Sequence, residues 1–157
     1  MVTNKKHLKQ MKSEATTIIH LASTATGATG MSPIPGSDAP IIATIQSTMI
    51  YKLNSAFNVN ASQSMMISTV TNILGMTVVA QCGKMVVANF LKLLPIGGTL
   101  LGGLISGSTA IAITEAIGFA YVKLLENYYN PESGAVEFPE NVEEVLSYFK
   151  LVFEGSR

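Results

Sequence analysis

Apolar residues recur along this chain at helical spacing. Between residues 4 and 29, Leu8, Met11, Ala15, Ile18, Ile19 and Ala22 fall three and four apart and predict a helix. Gly27 and Gly30 weaken its end, and Pro33 and Pro35 stop it. Ser37 then suits an N-cap, with Asp38 in the first turn and Pro40 early enough to be tolerated. The second predicted helix runs to about Phe57. Its apolar face holds Ile41, Ile42, Ile45, Met49, Ile50 and Leu53, and Thr44, Gln46, Ser47 and Thr48 form the other side. Residues 58–62, Asn-Val-Asn-Ala-Ser, read as a turn.

A third apolar stretch extends from Ala61 to Leu94 and ends at Pro95. A fourth opens with the glycine-rich run at 97–107 and reaches Tyr129, where Asn130 and Pro131 close it. After a polar loop, residues 141–153 predict an amphipathic helix. Its stripe is Val142, Val145, Leu146, Phe149, Val152 and Phe153, its first turn is rich in glutamate, and Gly155 is its C-cap. No strand is expected, because alternation never persists for more than a few residues. The β-branched clusters at 16–19, 67–73 and 111–114 are where that expectation is most exposed.

The expected architecture is therefore all-α: two apolar helical hairpins packed as a bundle, followed by the short C-terminal helix. Residues 1–130 form one helical domain, and 131–157 carry the loop and the acidic amphipathic helix. Two similar corners mark the hairpins, Pro33-Ile34-Pro35-Gly36-Ser37 and Pro95-Ile96-Gly97-Gly98-Thr99. Ile50-Tyr51-Lys52-Leu53 follows the first and Tyr121-Val122-Lys123-Leu124 the second. Either a diverged duplication or chance similarity in apolar sequence accounts for the echo.

Composition sharpens the picture. Hydrophobic residues make up 48% of the 157 and charged residues 13%, about half the usual charged share. Mean hydropathy is +0.38. The formal net charge is zero, which argues against a partner held by phosphate-backbone contacts, so no nucleic acid is expected. That zero hides a gradient: Lys5, Lys6, Lys9 and Lys12 open the chain, and Glu126, Glu132, Glu137, Glu140, Glu143, Glu144 and Glu154 crowd its end. Cys82 is the single cysteine and gives neither a disulfide nor a metal pair. The N-terminal lysines are not followed by an uninterrupted apolar core, so no classical signal peptide is read.

Four motifs in order carry a family resemblance over roughly residues 15–130. They are the Ile-Pro-Gly-x-Asp corner at 34–38, the run Gln46 to Leu53, the Lys-x-x-Pro-x-x-Gly corner at Lys92 to Gly98, and Thr114 to Gly118. Together they resemble the helical domain of unknown function 697. That resemblance implies a membrane-interacting or oligomerising module, usually appended to a Ras-like or Era-like GTPase domain or found in small membrane-associated proteins. No such domain is legible here. Gly83-Lys84 is followed by Met85 where a phosphate loop needs Ser or Thr, and Val78 stands at the leading glycine. A GTPase partner would therefore act in trans.

Candidate chemistry is thin. Asp38 reads as a capping residue rather than an acid–base group. Glu115, alone in the apolar fourth helix, calls for a partner if buried, with Lys84 and Lys92 the candidates in kind. His20, near the apolar face of the first helix, reads as a hydrogen-bonded structural residue, and Gln46 joins it, Lys84 and Glu115 as a buried polar candidate. No catalytic set, cofactor site or metal-ligand cluster is expected. Gly98-x-x-x-Gly102 and Gly103-x-x-x-Gly107 permit close helix approach, in a membrane pair or in a tightly packed core. Ser64–Leu91 and Leu100–Val122 are long enough to span a bilayer but carry charges and many hydroxyls.

The leading expectation is a non-catalytic module at the cytoplasmic side of a membrane, peripheral or integral, that binds a protein partner or forms a homo-oligomer. A cytosolic partner-binding protein of immunity or adaptor type, and a small membrane-perturbing effector, are the alternatives.

Overall fold

The computed structural model describes residues 2–29, 39–78 and 103–155. Five helices carry most of them: α1 (Val2–Thr29), α2 (Ala39–Ala56), α3 (Gln63–Val78), α4 (Gly103–Asn127) and α5 (Val142–Glu154). The β-branched clusters at 16–19, 67–73 and 111–114 are all helical. Packing overrides their weak preference for strands. The corners at Pro33–Asp38 and Pro95–Gly98, together with Lys84, Lys92, Cys82 and Gly102, lie outside the described residues.

The expectation of no strand is corrected. Val59–Asn60 (β1), Tyr129–Asn130 (β2) and Ala135–Glu137 (β3) form a small sheet in the order β1-β3-β2. Val59 pairs with Val136 in a parallel register, and Tyr129 pairs with Val136 in an antiparallel one. Strands of two and three residues are too short for alternation to register in sequence. Accordingly α4 ends at Asn127 rather than Tyr129, and the presumed polar loop is a hairpin. Gly134 supplies the positive φ its turn needs, at 68°. The side chains of Ser133 and Asn130 both hydrogen-bond the Glu137 carboxylate, at 2.7 and 3.1 Å, and hold its pKa below the ordinary value.

Packing follows the apolar stripes. Met11, Ala15, Ile19 and Ala22 of α1 are buried against α4 and α2. Met49, Ile50, Leu53 and Phe57 continue the core from α2, and Ile117, Tyr121, Leu124 and Leu125 from α4. Gly118 permits the close approach of α1 and α4, because a Cβ there would stand 2.6 Å from Cγ1 of the fully buried Ile19. At the far end α5 adds Val145 and Phe149 to the same core. The Asn141 side chain accepts from the Glu143 N–H, Glu143 and Glu144 occupy the first turn, and Gly155 closes the helix onto the Leu151 carbonyl. Ser62 caps α3 in the same manner, accepting from the Met65 N–H at 3.2 Å.

Candidate functional site

Cross-helix polar contacts set the register of the bundle. On α1, Lys12 pairs with Glu126 of α4; further along, His20 meets Glu115; at the end, the Thr26 hydroxyl faces the Ala110 carbonyl. The two helices are thus antiparallel. Gln46 and Asn54 of α2 meet Thr114 and Tyr121 of α4, so those helices run parallel. The second half of α1, the first half of α2 and the first half of α4 therefore lie at one end of the bundle. The described residues of that end, 16–29, 39–51 and 103–114, contain no Asp, Glu, Lys or Arg, and it is charge-free in that sense; Asp38, next to Ala39, lies outside them.

At the border of this charge-free end sits Glu115. Its partner is His20, with Nδ1 2.9 Å from Oε1; Lys84 and Lys92 lie outside the described residues. Ser23 Oγ lies 3.2 Å from the same Oε1, and Phe119 sets its ring edge-on to the imidazole. His20 is exposed rather than buried, and Glu115 is half-buried. The cluster contains serine, histidine and carboxylate in an order unsuited to nucleophilic catalysis. Both Ser23 and His20 face the carboxylate, and the hydroxyl contacts the His20 carbonyl rather than its ring. The imidazole is not in contact with the serine hydroxyl as a triad requires. Among the described residues no group of three His, Cys, Asp or Glu could hold a metal ion.

Gln46, on the polar side of α2 by its spacing and named as a buried polar candidate, is buried, and its amide donates to Thr114 Oγ1 at 3.1 Å. Ile41, expected on the apolar face, is 52% exposed instead. The helix is rotated so that one amide faces α4 and the first isoleucine faces outward. Deeper in the bundle, the Tyr121 hydroxyl donates to Asn54 Oδ1 at 2.6 Å. Burial pushes that phenol well above its ordinary pKa. Gly103 and Gly107 lie in the first turns of α4.

The open surface of the charge-free end is made of apolar side chains, hydroxyls and the His20 imidazole. Leu21 is 68% exposed, and Phe119, Ile111 and Ile41 are exposed as well. Its hydroxyls are accounted for locally. Every described Ser and Thr from Thr16 to Thr48 reaches a backbone carbonyl three or four residues earlier; Thr24 to His20, Thr44 to Pro40 and Thr48 to Thr44 do so at 2.8 Å. Between α1 and α2 runs a groove of about 260 Å³ with Ile18, Leu21, Ala25, Ile45 and Met49 among its walls and Lys52 at one end. None of the described helices is long and apolar enough to cross a membrane. Sequence periodicity identified the helices, but nothing local marked Ser23 as a neighbour of Glu115 or Phe119 as a neighbour of His20, because these pairs come together only in the tertiary fold.

These features define a mostly helical bundle whose described residues at one end carry no Asp, Glu, Lys or Arg, and whose hydroxyls from Thr16 to Thr48 bond their own helices. The chain belongs to the family described as Domain of unknown function (DUF697), which matches residues 2–150. It is 30% identical over 125 residues to Magnetosome membrane protein 22 of Magnetospirillum gryphiswaldense, covering 80% of this chain and 61% of that relative. The chain thus spans less than two thirds of the relative's length. No solved structure matches.

Proposed function

We propose that this protein is a non-catalytic, membrane-associated helical module whose charge-free end contacts lipid. The observation that carries the reading is the internal satisfaction of the hydroxyls from Thr16 to Thr48 beside exposed Leu21 and Ile41. A hydroxyl in hydrocarbon has no water to bond, and its transfer there is costly unless a partner is supplied. Here the preceding turn of helix supplies it. The name of the relative, a magnetosome membrane protein, points the same way. The opposite, charged end is left to face water and a protein partner. The family resemblance makes a GTPase supplied in trans, or a second copy of this chain, the partner classes to try first.

The test is fractionation of cells expressing the full chain, with the membrane pellet washed in alkaline carbonate and then in detergent. Retention until detergent supports lipid contact by the apolar faces. Recovery in the first supernatant as a discrete species sinks the reading and turns the search to partners in solution. Leu21→Ser with Ile41→Ser should shift the protein from pellet to carbonate wash while leaving its melting temperature nearly unchanged, since both side chains are exposed.

A further inference from the structure

The groove between α1 and α2 has the chemistry of a site for an amphiphile. Its walls are Ile18, Leu21 and Ala25 on one side and Ile45 and Met49 on the other. The two hydroxyls lining it, Thr44 and Thr48, each donate to a carbonyl of their own helix at 2.8 Å, so they ask nothing of an occupant. Lys52 is the single charged residue of the lining, and no acid stands in the groove. Lys52 is exposed and makes no ion pair among the described residues, although Lys12 and Lys150 each have one.

Position adds to composition. Because α1 and α2 are antiparallel, Lys52 lies at the Ile18 end of the groove, toward the charged half of the bundle. Thr44 and Ala25 lie at the other end, about 12 Å away along α2 at the helical rise per residue. An apolar channel running into the charge-free end, with a free ammonium at its outer mouth, matches an acyl chain joined to an anionic head. If the charge-free end meets lipid, Lys52 stands at the depth where phosphates lie.

We infer that the α1–α2 groove seats one acyl chain of an anionic membrane phospholipid, with Lys52 at its phosphate. This inference rests on the membrane reading above and adds to it a lipid class, a seat and an orientation. A lysine beside an anionic surface is worth about fivefold in binding. The apolar walls add a contribution that does not depend on head-group charge.

The chain contains no tryptophan, so a single introduced indole reports without background. Leu21→Trp places one at the groove, where Leu21 is largely exposed, and Ser55→Trp places one at the charged end of α2, also at an exposed position. Each full-length variant is floated with vesicles of phosphatidylcholine alone, or of phosphatidylcholine mixed with phosphatidylglycerol. In the mixed vesicles the brominated acyl chain is carried by one lipid or the other at equal mole fraction. The expected result is stronger quenching of Leu21→Trp by brominated phosphatidylglycerol than by brominated phosphatidylcholine, with Ser55→Trp quenched by neither. Lys52→Gln should abolish that preference and weaken binding to the mixed vesicles about fivefold, leaving phosphatidylcholine binding unchanged. Equal quenching by the two lipids, with no effect of Lys52→Gln, overturns the inference while the membrane reading stands. Quenching of Ser55→Trp to the same extent as Leu21→Trp removes the groove as the seat. Absence of flotation with either vesicle removes the membrane reading and the inference together.

Discussion

The two ends of this bundle are built from the same helices but solve opposite problems. At the charged end, Lys12 and Glu126 pair on the surface, the β2–β3 hairpin fixes Glu137 with Ser133 and Asn130, and α5 drives Val145 and Phe149 into the core. The charged groups there face outward, and the buried aromatic residues supply stability. At the charge-free end the arrangement is reversed. Gln46, Thr114, Ser23 and Thr26 are paired inside, and Leu21, Ile41, Ile111 and Phe119 are left outside. One end is arranged to stay folded in water; the other exposes apolar surface that contributes little to its own stability. Stability and surface affinity are therefore separable by substitution.

The largest effect should come from the charged end. Phe149 is almost wholly buried and stacks on Phe153 with ring centroids 5.5 Å apart. Phe149→Ala should lower unfolding free energy by about 3–5 kcal/mol in urea titration. If the loss is below about 1 kcal/mol, α5 is not part of the stabilising core and the contrast between the ends fails.

Next comes the seam that joins the halves. Gly118→Ala would push a methyl group against Ile19, whose branched, fully buried side chain has no free end to swing away. The expected cost is roughly 1–3 kcal/mol. Combining it with Ile19→Ala should cost less than the two single losses together, because the second change makes room for the first. Strict additivity would show that the two helices do not meet as closely as described.

The smallest effect sharpens the comparison through pH. Tyr121 has its folded-state pKa raised, chiefly by burial, above the ordinary 10.0. The folded chain therefore holds a proton that the unfolded chain releases. Stability is kept below pH 10 and falls as pH rises beyond it. Tyr121→Phe should flatten that alkaline fall while costing about 1–2 kcal/mol near neutrality, since Asn54 loses its donor. An unchanged alkaline slope would mean that the phenol is not sealed in the bundle.

Much of the charged end was legible along the chain. Its last helix announces itself by local signals alone: glutamates in the first turn, the stripe through Phe149, and Gly155 at the close. The face of α1 from Met11 to Ala22 is equally plain, because its period is regular and the residues between, Lys12 to Glu14, Thr16 and Thr17 among them, are polar. The charge-free end was less readable for a physical reason. Where nearly every position is small, hydroxylated or apolar, the contrast that fixes a helix's rotation is weak, so Ile41 was expected inside and lies outside. The pairing of His20 with Glu115 joins residues 95 positions apart and leaves no local trace. Strands as short as β1 and β3 are set by their partners rather than by their own sequence.

The parallel pairing of Val59 with Val136 has a consequence for the order of events on the ribosome. The first two helices emerge early and can find one another. Their principal shared neighbour, α4, and the strand that clasps β1 are synthesised much later. Closure over so long an intervening segment is slow compared with pairing of adjacent helices. Until α4 is free of the exit tunnel, the face of α1 around Ile19 lacks the cover that Gly118 and its neighbours give it in the finished fold. The nascent polypeptide therefore presents apolar surface well before translation ends.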